Sequence, residues 1–403
     1  MGALLSSGAP RLTRGQKYAE AKVVRVQRGQ TTQLVIKDIT IFDAAADVIA
    51  EHLRSPSCAC TAVVLKDNGF TSRAFRTLAP IGWWAPCFID NSSVNELRYI
   101  SNPIREVVAA DGGEAIDQAS NMLDAGAEDG AKLLARAMRS NKALRVLVLE
   151  GNGLGDEGCQ QLAEALESNG SICELGLVRN GIADQGCQRL AAALRVNAKC
   201  VSLDLSENMV GAEGFSALLE TISTQGHVAE LNLRANRLAG ASLEPKVAEV
   251  LGANACLFGL DLRRNDLSDA GCKLVATALS VNATLKRLYL SSNRIGAEGC
   301  VALAVALEQN KSLEEIYLDI NSIGDAPCAR LAAALGVNDV VQKMDLRMNE
   351  FGGEGLKALE SAVAKNGALQ CLELSESHYA SKAPIEKIRA KLDSNVWSSI
   401  KGK

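Results

Sequence analysis

The sequence predicts an α/β solenoid of about twelve stacked units, shaped as a horseshoe with parallel strands on the concave face and α-helices on the convex face. Three observations predict it. Asn152, Asn180, Asn208, Asn236, Asn265, Asn293, Asn321 and Asn349 recur every 28 residues, with one step of 29. Each belongs to one phrase, Leu-x-x-Leu-x-Leu-x-x-Asn-x-Ile/Leu, then Gly, then Leu-Ala-x-x-Leu. The fullest copy is Leu285, Leu288, Leu290, Asn293, Ile295, Gly296, Leu303, Ala304 and Leu307. Within the phrase the apolar period changes from alternation to steps of three and four, as a strand followed by a helix requires. A fixed period of roughly 20 to 50 residues marks units that bury their apolar faces only against one another.

The elements follow in order. Residues 1–31 form a basic tail, expected to be flexible, with Arg11, Arg14, Lys17, Lys22, Arg25 and Arg28. Degenerate units occupy 32–143: Leu34, Ile36 and Ile41 fit one, Val63, Leu65 and Asn68 the next, Leu97, Tyr99 and Asn102 a third. The helix half of that third unit arrives late, at Leu134 and Met138, which places an insertion near 105–126. Trp83 and Trp84 suggest local packing in the irregular link before it. Regular units fill 144–377, the last with Ser377 in place of Asn. In Leu144-x-x-Leu147-x-Leu149 the alternation buries one side of a short strand, and Cys159, Leu162, Ala163 and Leu166 mark one face of the helix after it. Asp156 and Glu157 lie in that helix's first turn, where carboxylates suit the free N–H groups. Asn169, Asn197, Asn254, Asn282, Asn310, Asn338 and Asn366 fall near helix ends and read as left-handed C-caps. At 378–403, Pro384, Ile385, Ile388, Leu392 and Trp397 predict a helix that covers the exposed end of the stack.

Composition narrows the function. The net charge of −4 across 403 residues gives no global field for nucleic acid, and no window of 18 apolar residues spans a membrane. Of 12 cysteines, Cys159, Cys187, Cys272, Cys300 and Cys328 share one repeat position. Successive helices stack roughly 8–10 Å apart, beyond the Cα separation of about 7 Å that a disulfide tolerates. These five therefore read as small buried hydrophobes of a reducing, cytoplasmic compartment. His52, His227 and His378 are isolated, and no nucleophile elbow, metal-spaced cluster or phosphate-cradling glycine loop occurs. No metal or cofactor is expected, and no catalytic residues.

At these residues the chain resembles the ribonuclease-inhibitor-like leucine-rich repeat proteins, whose units are long and carry full helices. The phrase Asn-x-Ile-Gly-x-x-Gly with Leu-Ala-x-Ala-Leu also looks like repeats of NOD-like receptors and of Ran GTPase-activating proteins. The resemblance covers about Leu34 to Leu374 and implies that the eight repeated Asn side chains bond the adjoining loop backbone. It departs from the relatives in three respects. Strict alternation of two repeat types is absent, no Gly-x-x-x-x-Gly-Lys-Ser/Thr occurs, and the chain ends Lys401-Gly402-Lys403 without an acidic tail.

Binding residues are expected on the concave strand positions and strand-end loops: Arg234, Arg263, Arg264, Arg287, Tyr289, Arg294, Tyr317 and Asp319, with Glu230, Asn232, Asp261, Ser291, Glu315 and Arg237 beside them. Tyr and Arg are the residue types that dominate binding energy at interfaces. The competing reading is a solvated face whose Arg residues pair with Asp261 and Asp319. Met1-Gly2-Ala3-Leu4-Leu5-Ser6 matches an N-myristoylation pattern with Gly2 as acceptor. Acylation would give peripheral membrane contact only, supported by the basic tail. An acid-free N-terminus also fits a transit peptide or a plain tail. The expected function is a non-catalytic scaffold, monomeric by itself, that binds a protein partner. The alternatives are a GTPase-activating protein of the Ran type and an architectural subunit of a large assembly such as an axoneme.

Overall fold

A computed structural model describes residues 33–37, 40–41, 60, 62–66, 69–70, 96–100, 130–375 and 382–401. The basic tail with Gly2, the Trp83–Trp84 pair, the insertion near 105–126 and Ser377 lie outside the described residues. The chain divides into two compact units, Met1–Asn180 and Gly181–Lys403.

In the first unit, β1 (Gln33–Lys37), β3 (Ala62–Lys66), β5 (Glu96–Ile100), β6 (Val146–Glu150) and β7 (Glu174–Gly176) pair in that order, all parallel. The short strands β2 (Thr40–Ile41) and β4 (Gly69–Phe70) form a separate parallel pair. Helices α1 (Gly130–Ser140) and α2 (Gly155–Ser168) pack together behind the sheet. Leu147, Leu149, Cys159, Leu162, Leu166 and Leu175 are fully buried between the layers.

The second unit repeats one pattern. Strands β8 (Ser202–Asp204), β9 (Glu230–Asn232), β10 (Gly259–Asp261), β11 (Arg287–Tyr289), β12 (Glu315–Tyr317), β13 (Lys343–Asp345) and β14 (Cys371–Glu373) form a parallel ladder in chain order. Helices α3 (Asp184–Leu194), α4 (Ala212–Gln225), α5 (Lys246–Ala253), α6 (Ser268–Leu279), α7 (Ala297–Gln309), α8 (Asp325–Leu335) and α9 (Gly353–Lys365) alternate with them. Helix α10 (Lys382–Lys401) packs on α9 and buries Ile385, Ile388 and Leu392. Each strand is only three residues long, and its central residue is Leu, Ile or Met facing the helices. The two flanking residues face the opposite way, because side chains alternate across a strand.

Two asparagine ladders join successive repeats within each unit. At the strand ends, Asn293 Nδ2 donates to the Leu262 and Leu290 carbonyls at 2.8 and 3.0 Å, while its Oδ1 accepts from the Asn265 and Leu267 amides at 2.9 and 3.3 Å. Asn180, Asn236, Asn265, Asn321 and Asn349 likewise donate to the carbonyl of the preceding unit. Within the first unit, the Asn152 amide donates to Asn180 Oδ1, at 3.0 Å. Asn208 Oδ1 accepts from the Ile182 amide at 3.1 Å.

The helix-end asparagines form the second ladder, and here the expectation of left-handed caps is wrong. Asn169, Asn254, Asn310 and Asn366 are extended, with φ between −84° and −64°. Their side chains explain why. Asn310 Nδ2 reaches back to the Leu279 and Asn282 carbonyls at 2.7 and 2.9 Å, and its Oδ1 accepts from the Ser312 and Leu313 amides at 2.9 and 2.7 Å. An amide with two donors and two acceptor sites is thus filled by two units at once, which outweighs local helix termination. Asn395 of α10 extends the series by donating to the Asn366 and Leu369 carbonyls at 3.1 and 2.7 Å.

The Gly-x-x-Gly spacing has a related cause. Asp269 Oδ1 accepts from the Gly296 and Gly299 amides of the next helix at 2.7 and 2.9 Å, and Asp184 and Asp325 do the same for Gly211 with Gly214 and Gly352 with Gly355. A side chain at Gly214 would sit 2.6 Å from the carboxylate it must admit. These two amide donors hold the Asp325 carboxyl below its ordinary value. Each such helix N-terminus is therefore capped from the preceding unit rather than by its own side chain.

Cys159, Cys187, Cys272, Cys300 and Cys328 are free thiols with no solvent exposure. Burial pushes Cys300 and Cys328 up to about 12. They are inert packing groups.

Candidate functional site

The strand register of the second unit arranges the outward residues in rows. Glu230, Gly259, Arg287, Glu315, Lys343 and Cys371 form one row, and Asn232, Asp261, Tyr289, Tyr317, Asp345 and Glu373 the next. Tyr289 and Tyr317 stack with ring centroids 4.5 Å apart and planes within 17°. The Arg263 guanidinium lies 5.1 Å from the Tyr289 centroid, and the Lys343 amine 5.2 Å from that of Tyr317. A cation, two rings and a second cation thus run across adjacent strands, each contact favourable through the ring quadrupole. Burial raises the Tyr317 phenol, as does its donated hydrogen bond to Glu315 Oε2 at 2.7 Å. Burial also raises Tyr289. Both phenols stay protonated at physiological pH.

Most charges on this open face already have partners. Arg263 forks onto Asp261, which also accepts from the Arg263 amide at 3.0 Å. This hydrogen-bonded carboxylate raises the Arg263 guanidinium. Arg347 binds Asp345 in the same way, its Nε at 3.0 Å from Oδ1. Arg234 pairs with Glu207 at 3.1 Å, and Asp319 accepts from the Ser291 hydroxyl. Arg287 passes over β10 to reach Glu230. Gly259 makes that crossing feasible: a Cβ there would lie 1.8 Å from Glu230 Oε2.

The rim at the strand ends is built differently. The residue before each repeated Asn has positive φ: Arg264 at 55°, Ser292 at 57°, Ile320 at 55° and Met348 at 56°. The left-handed turn leads into the repeated Asn, which is buried at Asn265, Asn293 and Asn321. Glycine suits it, and Gly151 holds the equivalent place before Asn152 with φ 69°. A side chain costs roughly 1–2 kcal/mol there, and a β-branched residue such as Ile320 is an outlier. Yet Ile320 is 42% exposed and Met348 66% exposed, so burial does not offset the strain. Arg294 pairs with Asp266 at 2.8 Å. Arg237 and Arg264 are exposed and meet no carboxylate among the described residues.

The structure thus brings Arg263, Tyr289 and Tyr317 together, ties Arg234, Arg287 and Asp319 into pairs, and sets Arg264 and Arg294 on the rim. Sequence reasoning missed Lys343, the Asp345–Arg347 fork, Gly259, Ile320 and Met348. Signals existed for two of these. Asp-x-Arg occurs twice at strand spacing, at Asp261 and Asp345, and Lys343 stands one full period after Glu315.

A family model described as "Leucine Rich repeat" matches residues 140–163, 253–276, 281–304 and 338–359. No curated protein matches the sequence. Among solved structures, the leucine-rich repeat-containing protein LegL7 from Legionella pneumophila is 20% identical, with 77% of this chain and 94% of that chain covered and a TM-score of 0.46. An internalin, inlF, from Listeria monocytogenes is 13% identical over 89% of this chain and 93% of that one, with a TM-score of 0.44. A structure titled leiomodin-1 actin-binding site 2 is 19% identical over 39% of this chain and 91% of that one, with a TM-score of 0.36. The fold is an α/β leucine-rich repeat solenoid. Among the described residues no helix is long and apolar enough to cross a membrane.

Proposed function

We propose that the protein is a non-catalytic scaffold that binds a protein partner through the open sheet face and strand-end loops of its second unit. The Arg263–Tyr289–Tyr317–Lys343 ladder carries this reading. Stacked rings held between cations, with each flanking carboxylate already paired, form a stiff surface that loses little side-chain entropy on binding. Tyr and Arg at the centre of such a surface are the usual energetic anchors. The long units with full helices further support the ribonuclease-inhibitor-like subtype. Free, buried cysteines support a reducing compartment, and so the cytoplasm.

The test is affinity purification with mass spectrometry. It compares the wild-type chain with a face variant, Tyr289→Ala with Tyr317→Ala, and a rim variant, Arg237→Ser with Arg264→Ser. Recovery of a stoichiometric partner by wild type that drops for either variant supports the reading. Equal partner recovery by all three chains refutes binding through this surface.

A further inference from the structure

We propose that the rim from Arg237 to Met348 receives an extended acidic–apolar segment of a partner protein, with its carboxylates on Arg237 and Arg264 and its apolar side chains on Ile320 and Met348. The inference rests on the protein-binding reading and names what the rim recognises.

Arg264, Ser292, Ile320 and Met348 occupy one position in successive units, just before Asn265, Asn293, Asn321 and Asn349. The Ile320 amide donates to the Arg347 carbonyl at 2.9 Å, so the last two sites are immediate neighbours. Strands spaced about 4.8 Å apart put Arg264 roughly 10 Å from Ile320 and about 14 Å from Met348. An extended chain rises about 3.3 Å per residue, so a carboxylate on Arg264 and an apolar residue on Ile320 lie three or four positions apart.

Charge gives the segment its polarity. At the basic end, Asp266 is engaged by Arg294 and Glu207 by Arg234, which leaves Arg237 and Arg264 to meet an incoming anion. At the apolar end, exposed Glu350 follows Met348 by two residues and disfavours a carboxylate there. The left-handed turn is shared by all four positions, and at the apolar end a β-branched residue makes it costliest. Glycine or asparagine would make the same turn at lower cost, so neither folding nor burial accounts for an exposed isoleucine at φ 55°. Two exposed apolar residues on adjacent repeats, in line with Arg264 and with Arg237 offset by two residues beyond it, form a narrow linear footprint; neither guanidinium meets a carboxylate among the described residues. That footprint suits an extended chain better than a helix or a flat surface.

The test uses the full chain and a fluorescein-labelled hexapeptide, Glu-Glu-Ser-Gly-Leu-Leu, followed by fluorescence anisotropy. Saturable binding that weakens with added salt is expected. Arg264→Glu and Ile320→Asn should each weaken it by about tenfold or more. Asn accepts the left-handed turn, so Ile320→Asn should melt at or above the wild-type temperature, which separates lost binding from lost folding. Equal binding of Lys-Lys-Ser-Gly-Leu-Leu, no binding of the acidic peptide, or unchanged binding by Ile320→Asn would each overturn the proposal. So would preference for phosphatidylserine vesicles over the peptide. If the peptide fails while face variants lose a purified partner, the rim assignment falls and the scaffold reading stands.

Discussion

Arg263 forks onto Asp261 on the open face, whereas Arg264, the next residue, stands on the rim with no carboxylate among the described residues. The same contrast holds for apolar and aromatic groups. Tyr289 and Tyr317 cover each other, while Ile320 and Met348 project outward from turns that disfavour them. The face satisfies its groups internally and gains rigidity; on the rim Arg294 pairs with Asp266, while Arg237 and Arg264 meet no carboxylate among the described residues and Ile320 and Met348 stay exposed. On the proposed reading, a rigid face sets the shape of the surface, and exposed groups beside it supply what a partner can still satisfy.

The contrast can be sharpened by substitution. The largest effect should come from beneath the rim. Asn293→Ala removes a fully buried amide that bonds two carbonyls and two amides of the neighbouring chain. It should cost about 3 kcal/mol or more, read as a lower denaturant midpoint. Next, Arg263→Ala leaves the buried Asp261 carboxylate without its fork and uncovers one Tyr289 face. A loss of about 1–2 kcal/mol is expected by equilibrium unfolding. In the opposite direction, Ile320→Asn should stabilise the chain by about 1 kcal/mol by relieving the turn, seen as a raised melting temperature. The smallest change should follow Arg264→Ala, within about 0.5 kcal/mol of wild type, as for an exposed residue free of such features. Comparable losses for Arg263→Ala and Arg264→Ala would erase the distinction between face and rim.

The sequence made the repeat legible because Leu and Asn stand at fixed steps, and each strand and helix must present the same face to its neighbour. That logic reached the strand rows, and so the neighbourhood of Tyr289 and Tyr317. It stopped at pairing. Whether Arg287 meets Glu315 on the adjacent strand or crosses to Glu230 depends on the missing side chain at Gly259, which periodicity does not weigh. The helix-end asparagines were read by their local habit, but their bonds run to the preceding unit, some thirty residues away. The rim residues escaped notice because Ile320 and Met348 look like ordinary members of an apolar pattern. Only the positive φ and the exposure of their side chains separate them from the core.

The most direct test of the division between face and rim is selection of peptides from a random library on the immobilised full chain, with sequencing of the bound pool. The account predicts enrichment of acidic residues three or four positions from apolar ones, and loss of that enrichment on the Ile320→Asn chain. Enrichment of basic peptides, or an identical pool selected by the Ile320→Asn chain, would contradict it.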